Sequence, residues 1–380
     1  MSNLTALIDA TIFTGEAFVE GHALLIKDGK ILDIAGNRKI PAEAEKISYA
    51  NKILSPGFID AQVNGGGNVM FNNTPTEEAC LAIAAAHRRK GTTGLLPTCI
   101  TDKPEITQKA VVATRTARKK DKSILGIHIE GPHLGEARRG VHKAGYLRPL
   151  GNADWRLYHR EGDEVMMMTV APECVTPDEI KKLRTKGVII SLGHTQATGE
   201  QTRAALAAGA TGFTHLFNGM GGLSARGQGP ADVALDDRIS YCSLIADGHH
   251  VSAEMIRLAL RVKPGRIFLV SDAMPPSASD HPQPFELYGE TIRPENGRCV
   301  NAEGKLAGAI LTMGQAVHNC VKKFGVDPDE ALRMATIYPA AFLGVDKSIG
   351  KLLPGYEANV AIMNAAFTTE KVWFGRTLIH

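Results

Sequence analysis

The sequence has no apolar run of membrane length, and its N-terminus lacks the charged, apolar and small-residue succession of a secretory signal. Its six cysteines show no paired short spacing, and most of them lie in apolar surroundings, as buried free thiols do. Nothing here favours a secreted, disulfide-rich or membrane-spanning protein. We therefore expect a cytoplasmic protein.

Neither the charge balance nor the glycine-rich segment indicates a nucleic-acid or nucleotide-binding protein. A net charge of +3 over 380 residues gives no reason to expect a nucleic acid or a membrane surface as a partner. The basic segment 115–122 fits a solvated helix face better than a nucleic-acid site. The glycine run 65–67 lacks the spacing of a nucleotide-binding loop, and no Gly-x-Ser-x-Gly elbow for a nucleophilic serine occurs.

What the sequence does contain is a series of eight short apolar runs, most of them separated by enough residues for a helix. The runs are Gly57–Asn64, Gly94–Thr98, Ile124–Glu130, Val165–Glu173, Val188–His194, Gly212–His215, Tyr241–Asp247 and Ile267–Asp272. This alternation predicts an α/β fold, a (β/α)8 barrel whose active site lies at the C-terminal ends of its strands. The polar residues at those ends are Gln62, Asn64, Glu130, His194, His215, Asp247 and Asp272.

The two ends of the chain lack this alternation of strands and helices, and their sequences predict β-strands. Near the start, the strand-like segments are 4–13, 22–27 and 31–34, and Asp28-Gly29-Lys30 forms a hairpin turn; near the end they are 358–363 and 369–374. We expect two domains. Residues 1–53 and 350–380 form a small β-sandwich domain, and residues 54–349, between them in sequence, form the catalytic barrel.

Helices are predicted between the runs, and hydroxyl residues mark two of their starts, Thr176 and Ser252. The predicted helices are 76–90, 103–120, 176–186, 199–208, 252–262 and one near 312–324. Residues 275–305 read as a polar, proline-rich loop. A loop of that length is often an active-site lid or a binding element.

Three of the strand-end residues form a candidate metal site. In the third run the apolar residues alternate with His128 and Glu130, so the latter two share one face, with Glu130 nearer the mouth of the barrel. His194 and His215 end the fifth and sixth runs. One histidine alone is more often a packed or surface residue, but one carboxylate and two imidazoles together fit zinc or another divalent ion.

Asp272 follows the apolar eighth run and is a candidate general base beside this site. The alternative, an aspartate that caps a helix or a turn, is disfavoured because Pro275 and Pro276 follow and no helix begins there.

His250 and Asp247 follow the seventh run. His250 can polarise a substrate carbonyl, whereas the adjacent His249 faces solvent or packs. Asp247 either acts directly or supports a neighbouring histidine. His142 and Arg226 lie in glycine-rich loops, which we expect to be mobile, and suit an anionic group such as phosphate. For Arg226 a simple surface role is an equal alternative.

These residues and their surroundings resemble the N-acetylglucosamine-6-phosphate deacetylase family of the amidohydrolase superfamily. The resemblance covers nearly the whole chain and rests on the segments Leu54–Asp60, His128–Pro132, Gly193–Thr195, Thr214–Met220, Asp247–His250, Ser271–Ala273 and Leu306–Met313.

The resemblance implies one divalent ion per subunit on Glu130, His194 and His215, with zinc favoured and Fe²⁺, Co²⁺ and Mn²⁺ as alternatives. It implies acid–base catalysis by Asp272 and a homodimer, with two alternatives for Arg226: the active site of its own subunit or that of the neighbouring subunit. The substrate contacts that it implies are Val141, His142, Asn218, Gly219, Arg226, His250, Leu306, Ala307 and Gly308.

Two departures from related sequences bear on this reading. Many members of the superfamily have His-x-His after the first strand for a second metal, whereas this chain has Gln62-Val63-Asn64. Amides are poor replacements for imidazole on zinc, so these two residues are expected to support the water or the metal site. The segment 227–230 reads Gly-Gln-Gly-Pro where relatives tend to have Pro-Gly.

The expected activity is hydrolysis of the amide of N-acetyl-D-glucosamine 6-phosphate to D-glucosamine 6-phosphate and acetate. The same reaction on N-acetylgalactosamine 6-phosphate is the alternative substrate. A metal-free binding or scaffold protein that keeps the barrel is the alternative of another class.

Overall fold

The computed structural model describes residues 4–36, 39–304 and 306–380, and its centre is a barrel of parallel strands. The eight barrel strands of this described part are Phe58–Val63, Thr92–Ile100, Gly126–Glu130, Val165–Val170, Ile189–Leu192, Gly212–Phe213, Tyr241–Ile245 and Ile267–Val270. They are called barrel strands 1 to 8 below. Each strand pairs in parallel with the next, and a bridge between Val63 and Ala273 joins the last to the first. The predicted (β/α)8 barrel is confirmed.

The terminal segments form two further sheets. One is built from Lys30–Gly36, His22–Lys27, Leu4–Ile8 and Glu45–Ser48; the other, from Thr377–Ile379, Thr369–Phe374, Asn359–Met363, Ile53–Pro56, Thr11–Phe13 and Phe18–Val19. The second sheet combines strands from both ends of the chain, as expected. The domain limits at 53/54 and 349/350 stay predictions, and residues 1–3, 37 and 38 of the expected first segment lie outside the described residues.

The predicted strand 4–13 is in fact two strands in different sheets. Asp9 has a φ of +65° and turns the chain between them. The predicted hairpin is present, because Asp28 and Gly29 have φ values of +54° and +78°, as a two-residue turn of the mirror-image type I requires.

The six predicted helices are present within two residues of their expected limits. The helices among the described residues are Glu77–Arg88, Pro104–Lys120, Asn152–Leu157, Pro177–Thr185, Gly199–Ala207, Pro230–Asp236, Ala253–Val262, Met313–Lys322, Pro328–Ala335 and Ile337–Leu343, with short 3₁₀ turns at Glu136–Arg138 and Ala144–Tyr146. The hydroxyls of Thr176 and Ser252 accept hydrogen bonds from the backbone N–H groups of Glu179 and Met255, so both predicted caps are confirmed.

The prediction of a polar, proline-rich loop at 275–305 is wrong for much of its length. Its second half forms an antiparallel sheet of Phe285–Leu287, Glu290–Glu295 and Arg298–Val300 with Leu306–Ala309; Lys305 lies outside the described residues. Two tight turns join the first three strands, at Tyr288-Gly289 and Asn296-Gly297, and all four of these residues have positive φ. Asn-Gly is a strong hairpin signal, so the turn at Asn296-Gly297 was detectable in the sequence.

A layer of buried polar side chains crosses the barrel beneath its C-terminal mouth. Each barrel strand, or the residue directly after it, contributes one member: Asp60, Thr98, His128, Thr169, Ser191, Thr214, Ser243 and Ser271. His128 lies in a chain of hydrogen bonds, with Nδ1 3.2 Å from Thr98 Oγ1 and Nε2 2.8 Å from Thr169 Oγ1. Thr169 Oγ1 is 2.7 Å from Thr214 Oγ1, and Ser271 N donates to Asp60 Oδ1 at 3.1 Å. These bonds link neighbouring strands directly below the mouth.

Within the described ranges all six cysteines are free, and five of them are buried. No helix in those ranges combines the length and apolar character needed to cross a bilayer.

Gly126 begins barrel strand 3, and a methyl group there would lie 1.8 Å from the carbonyl oxygen of Val165 on strand 4. We expect Gly126→Ala to lower the free energy of unfolding by about 3 kcal/mol or more, because the backbone of two paired strands would have to separate. Gly145→Ala is the matched control, since a methyl group at Gly145 meets no atom within 4 Å. Chemical denaturation of both variants measures the difference; equal stabilities would contradict the close packing at Gly126.

Candidate metal centre and active site

Three side chains converge at the mouth of the barrel. Glu130 ends strand 3, and His194 and His215 each lie two residues beyond strands 5 and 6. Glu130 Oε1 is 3.2 Å from His194 Nε2 and 3.0 Å from His215 Nε2, and the two Nε2 atoms are 3.1 Å apart. All three residues are buried. The residues predicted as metal ligands are therefore brought together.

The hydrogen bonds of the two Nδ1 atoms determine whether the Nε2 atoms carry a proton or a lone pair. His194 Nδ1 is 2.9 Å from the Arg138 carbonyl oxygen, and His215 Nδ1 is 3.2 Å from the Asn218 carbonyl oxygen. A carbonyl oxygen only accepts, so both Nδ1 atoms donate, and in the neutral rings both Nε2 atoms carry lone pairs. Two nitrogen lone pairs and a carboxylate oxygen then face one point.

This donor set fits a divalent cation. A tetrahedral ion bound at about 2.0–2.1 Å separates its ligand atoms by about 3.3 Å, close to the distances among these three atoms. The carbonyl acceptors at Nδ1 hold each ring in the tautomer and the orientation that coordination needs.

The backbone is strained where the site residues follow their strands. His194, His215 and Asp272 have φ values of +49°, +35° and +48°, in the left-handed region. A non-glycine residue there costs on the order of 1–3 kcal/mol, so its surroundings must hold it in place. Ser243 Oγ accepts the N–H of His215 at 2.7 Å, and Ser271 Oγ accepts the N–H of Ala273, directly after Asp272, at 3.2 Å. Serines of the polar layer thus hold the turns that carry the site.

Asp272 is joined to the candidate metal ligands through two amides. Its Oδ1 accepts hydrogen bonds from Gln62 Nε2 at 3.1 Å and from Asn64 Nδ2 at 2.7 Å. The same Gln62 nitrogen lies 3.0 Å from Glu130 Oε1. Burial, with the negative charge of Glu130, raises the pKa of Asp272 above its ordinary value. A carboxyl group with a raised pKa is better suited to accept a proton and return it.

His250 is held by Asp247 just beyond strand 7. Asp247 Oδ2 lies 2.6 Å from His250 Nδ1, and its Oδ1 accepts the backbone N–H groups of His249 and His250. Burial works to raise the pKa of Asp247, but the hydrogen bond and the charge of His250 outweigh it, so the pKa is lowered and Asp247 is ionised. Asp247 contacts His250 as the supporting alternative expects.

A cavity of about 180 Å³ opens above the three converging atoms. The residues that line it are Asn64, Ile100, Glu130, Gly140, Val141, His142, His194, His215, Asn218, Gly219, His250, Asp272, Met274, Leu306 and Gly308. Three predicted residues are not among them: Gln62 lies beside Glu130 and Asp272, Ala307 is buried, and Arg226 is exposed. Sequence reasoning missed Ile100, Gly140 and Met274. Barrel strand 2 was predicted to end at Thr98 but continues to Ile100. Extending that run through the apolar residues Cys99 and Ile100 would have placed Ile100 at the mouth of the barrel.

His142 lies in a loop, as expected, but its side chain is buried. The side chain is 2% exposed, its Nδ1 is 2.8 Å from Thr101 Oγ1, and its ring centroid is 4.4 Å from that of His194. Burial lowers the pKa of His142 to about 3, so the ring is neutral at physiological pH. His142 is therefore available for hydrogen bonding and not as a cation.

The chain matches known proteins over almost its full length. Residues 53–377 match the model of the Amidohydrolase family, and residues 5–54 match that of the NagA composite domain. An N-acetylgalactosamine-6-phosphate deacetylase of Shewanella sp. strain ANA-3 is 38% identical, over 98% of this chain and 95% of that one. An N-acetylglucosamine-6-phosphate deacetylase of Haemophilus influenzae is 33% identical, over 94% of each chain.

Solved structures agree with these matches. The crystal structure of N-acetylglucosamine-6-phosphate deacetylase from Pasteurella multocida superimposes with a TM-score of 0.93 at 33% identity, and the similarity covers 98% of each chain. A Mycobacterium smegmatis N-acetyl-D-glucosamine-6-phosphate deacetylase gives a TM-score of 0.89 at 29% identity, over 99% of this chain and 100% of that one. Together with the buried Glu-His-His group, these matches show that the chain belongs to the amidohydrolase family and, within it, to the amino-sugar 6-phosphate deacetylases.

Proposed function

We propose that this protein hydrolyses the amide of N-acetyl-D-glucosamine 6-phosphate to D-glucosamine 6-phosphate and acetate. The observation that carries the proposal is the convergence of Glu130, His194 and His215 on one point beside the buried carboxyl group of Asp272. This is the arrangement that metal-assisted hydrolysis of an amide requires. The relatives named above supply the class of substrate.

The three converging side chains would hold one divalent ion per subunit, and we propose zinc. Two imidazole nitrogens and one carboxylate oxygen form a donor set that zinc commonly takes, with a position left for water or substrate. The chemistry that the ion supplies when bound is Lewis-acid polarisation of the acetyl carbonyl and of the attacking water. Gln62 and Asn64 direct amide nitrogens at carboxylate oxygens, which is the arrangement of supporting residues and not of ligands to a second ion.

Asp272 is proposed to move the proton. It takes a proton from the attacking water and passes it to the nitrogen of the departing amine, which would otherwise leave as a strongly basic anion. The amides of Gln62 and Asn64 hold its Oδ1 in place, and Oδ2 is the oxygen left for this transfer.

His250 is proposed to stabilise the carbonyl oxygen as negative charge develops on it. Its Nδ1 proton is held by Asp247, so donation from Nε2 requires the doubly protonated ring. A proton on Nε2 would face the developing oxyanion and lower the barrier to attack.

The phosphate group is assigned to Arg226, with His142 as a neutral hydrogen-bonding partner. Arg226 is exposed and lies outside the lining of the cavity, in the segment between strand 6 and the helix Pro230–Asp236. We therefore propose a homodimer in which Arg226 reaches the neighbouring active site. A metabolic enzyme of this kind is proposed to act in the cytoplasm.

Acetate release, measured on metal-loaded protein with both sugar phosphates, tests the substrate. We expect kcat/KM to be higher for N-acetylglucosamine 6-phosphate than for its epimer at the 4-hydroxyl group, N-acetylgalactosamine 6-phosphate. The reverse order would assign the activity that the Shewanella relative is named for. Absence of acetate release from both substrates would contradict the proposed function.

The first prediction concerns the proton carrier. Asp272→Asn keeps the size of the side chain and an oxygen that accepts the hydrogen bonds of Gln62 and Asn64, but it cannot accept a proton at neutral pH. We expect kcat to fall by on the order of 10²–10⁴ while substrate still binds. Pre-steady-state and steady-state kinetics measure this loss, and a near-normal kcat would show that another group carries the proton.

The second prediction separates the metal ligands from Asp272. Glu130→Gln removes the charged ligand, so the isolated protein should contain much less metal than the wild type. Asp272→Asn should keep about one equivalent, and elemental analysis of both variants measures this. Two equivalents of metal in the wild type would contradict the single-ion proposal.

The third prediction concerns the phosphate. Arg226→Ala should raise KM strongly for the phosphorylated sugar, by the loss of a charge-assisted bond worth about 1.5–3 kcal/mol, with little change for unphosphorylated N-acetylglucosamine. Arg261→Ala removes another exposed arginine, far along the chain on the helix Ala253–Val262, and is the control. Equal losses on both substrates would place Arg226 outside phosphate recognition.

A further inference from the structure

A second and larger cavity lies at the end of the barrel opposite the metal centre. It measures about 1000 Å³ and is formed where strands 5 to 8 begin, with Ile189, Tyr241 and Arg266 at its wall. Five arginines line it: Arg160, Arg184, Arg203, Arg238 and Arg266. We call it the basal arginine cavity. Neither the metal centre nor the proposed reaction uses it.

The five guanidinium groups have few bonding partners among the described residues. Among the described residues none of them forms an ion pair with a carboxylate, whereas Arg88, Arg115, Arg148 and Arg333 all do. Three of the arginines each donate one hydrogen bond to an uncharged oxygen. Arg184 Nη1 donates to the Val188 carbonyl at 2.9 Å, Arg203 Nη2 to Gln228 Oε1 at 2.6 Å, and Arg160 Nε to the Gly162 carbonyl at 3.0 Å. Most of their donors remain available.

The two aspartates at the cavity compensate only part of this positive charge. Asp237 Oδ2 accepts the backbone N–H groups of Ile239 and Ser240 at 3.1 and 2.7 Å, so its carboxylate is committed to its own turn. Asp236 is exposed. Five arginines and two aspartates give a surplus of three positive charges in one cavity, as large as the formal net charge of the whole chain, +3.

Glycines make room for two of the arginine side chains. Gly187 and Gly209 have φ values of +80° and +111°, and an added methyl group would lie 2.9 Å from Arg160 Cβ and 3.0 Å from Arg184 Cγ. Arg266 is positioned differently, because its guanidinium lies 4.7 Å from the centroid of the Tyr241 ring. Arg184 and Arg266 are both half-buried. These two cations are therefore placed by packing, unlike freely solvated side chains.

The rest of the lining indicates the kind of ligand. Leu206, Val233 and Phe342 add apolar surface between the arginines. Guanidinium groups pair bidentately with phosphate oxygens, and a surplus of three positive charges matches an organic diphosphate. The volume is at the upper end of the range of small-molecule sites, so the cavity can also hold an organic body beside the phosphates.

We propose that the basal arginine cavity binds a nucleoside diphosphate, through unpaired arginines on the diphosphate and apolar residues on the nucleoside. Arg184 and Arg266 are the principal anion contacts, and Arg238 is a peripheral one. The site is independent of the metal centre, which lies at the other end of the barrel.

Calorimetric titration of the metal-loaded protein with ADP, in the presence of saturating glucosamine 6-phosphate to fill the active site, tests the proposal. We expect saturable binding at one site per chain with a dissociation constant below about 1 mM. AMP should bind about tenfold more weakly, because it presents fewer phosphate oxygens. Inorganic pyrophosphate should bind more weakly than ADP, because it lacks the organic body.

Arg184→Gln combined with Arg266→Gln should weaken ADP binding by about a hundredfold or more, since each of the two lost charge-assisted bonds has an effect of about tenfold or more. Arg261→Gln, an exposed arginine outside the cavity, is the matched control and should leave the affinity unchanged. Arg238→Glu changes only an exposed side chain, so it reports on the site even where the double variant unfolds; it should weaken ADP binding as well.

Three results would overturn the proposal. They are the absence of saturable ADP binding with or without glucosamine 6-phosphate, the same loss of affinity in Arg261→Gln as in the cavity variants, and ADP binding that occurs only when glucosamine 6-phosphate is left out. The last result would place ADP in the active site.

Discussion

The central constraint of this molecule is electrostatic. Two imidazole nitrogens and a carboxylate oxygen are held about 3 Å apart with their lone pairs facing one another, which is unfavourable unless a cation lies between them. The protein accepts this arrangement because each ring is held from behind, by the carbonyl oxygens of Arg138 and Asn218. Glu130 cannot turn away easily either, because Gln62 holds the same oxygen. The positions of strands 1, 3, 5 and 6 are thereby tied to one point in space.

The polar layer beneath the mouth explains how a barrel can hold such a site. A barrel interior is usually filled by branched apolar side chains, but here each strand places a hydroxyl, imidazole or carboxyl group at this level. Ser243 and Ser271 hold the strained turns that carry His215 and Asp272, and His128 links strands 2 and 4. The conformational free energy that the left-handed residues cost at the strand ends is offset by hydrogen bonds to side chains of the polar layer.

Most of the framework could be predicted from the sequence, since the apolar runs recur at spacings that leave room for helices and each run ends in a polar residue. Glu130, His194, His215 and Asp272 followed from position alone, because parallel strands bring their C-terminal ends together. Two features did not follow. The burial of His142 depends on its contacts with Thr101 and the His194 ring, which come from distant parts of the chain. The sheet within 285–309 has strands too short for a clear alternating pattern, although Asn296-Gly297 marked one of its turns.

The pairing of the two ends of the chain has a consequence for how the protein is made. Strand Ile53–Pro56 lies antiparallel to Asn359–Met363, with Pro56 opposite Val360, so neighbours in one sheet are separated by some three hundred residues of sequence. A pairing of that kind closes late, because the whole barrel must first be synthesised between its partners. Until then Ile53–Pro56 presents an open edge, and such edges associate readily with other chains. During synthesis, the N-terminal strands of this protein are therefore the part most in need of protection from aggregation.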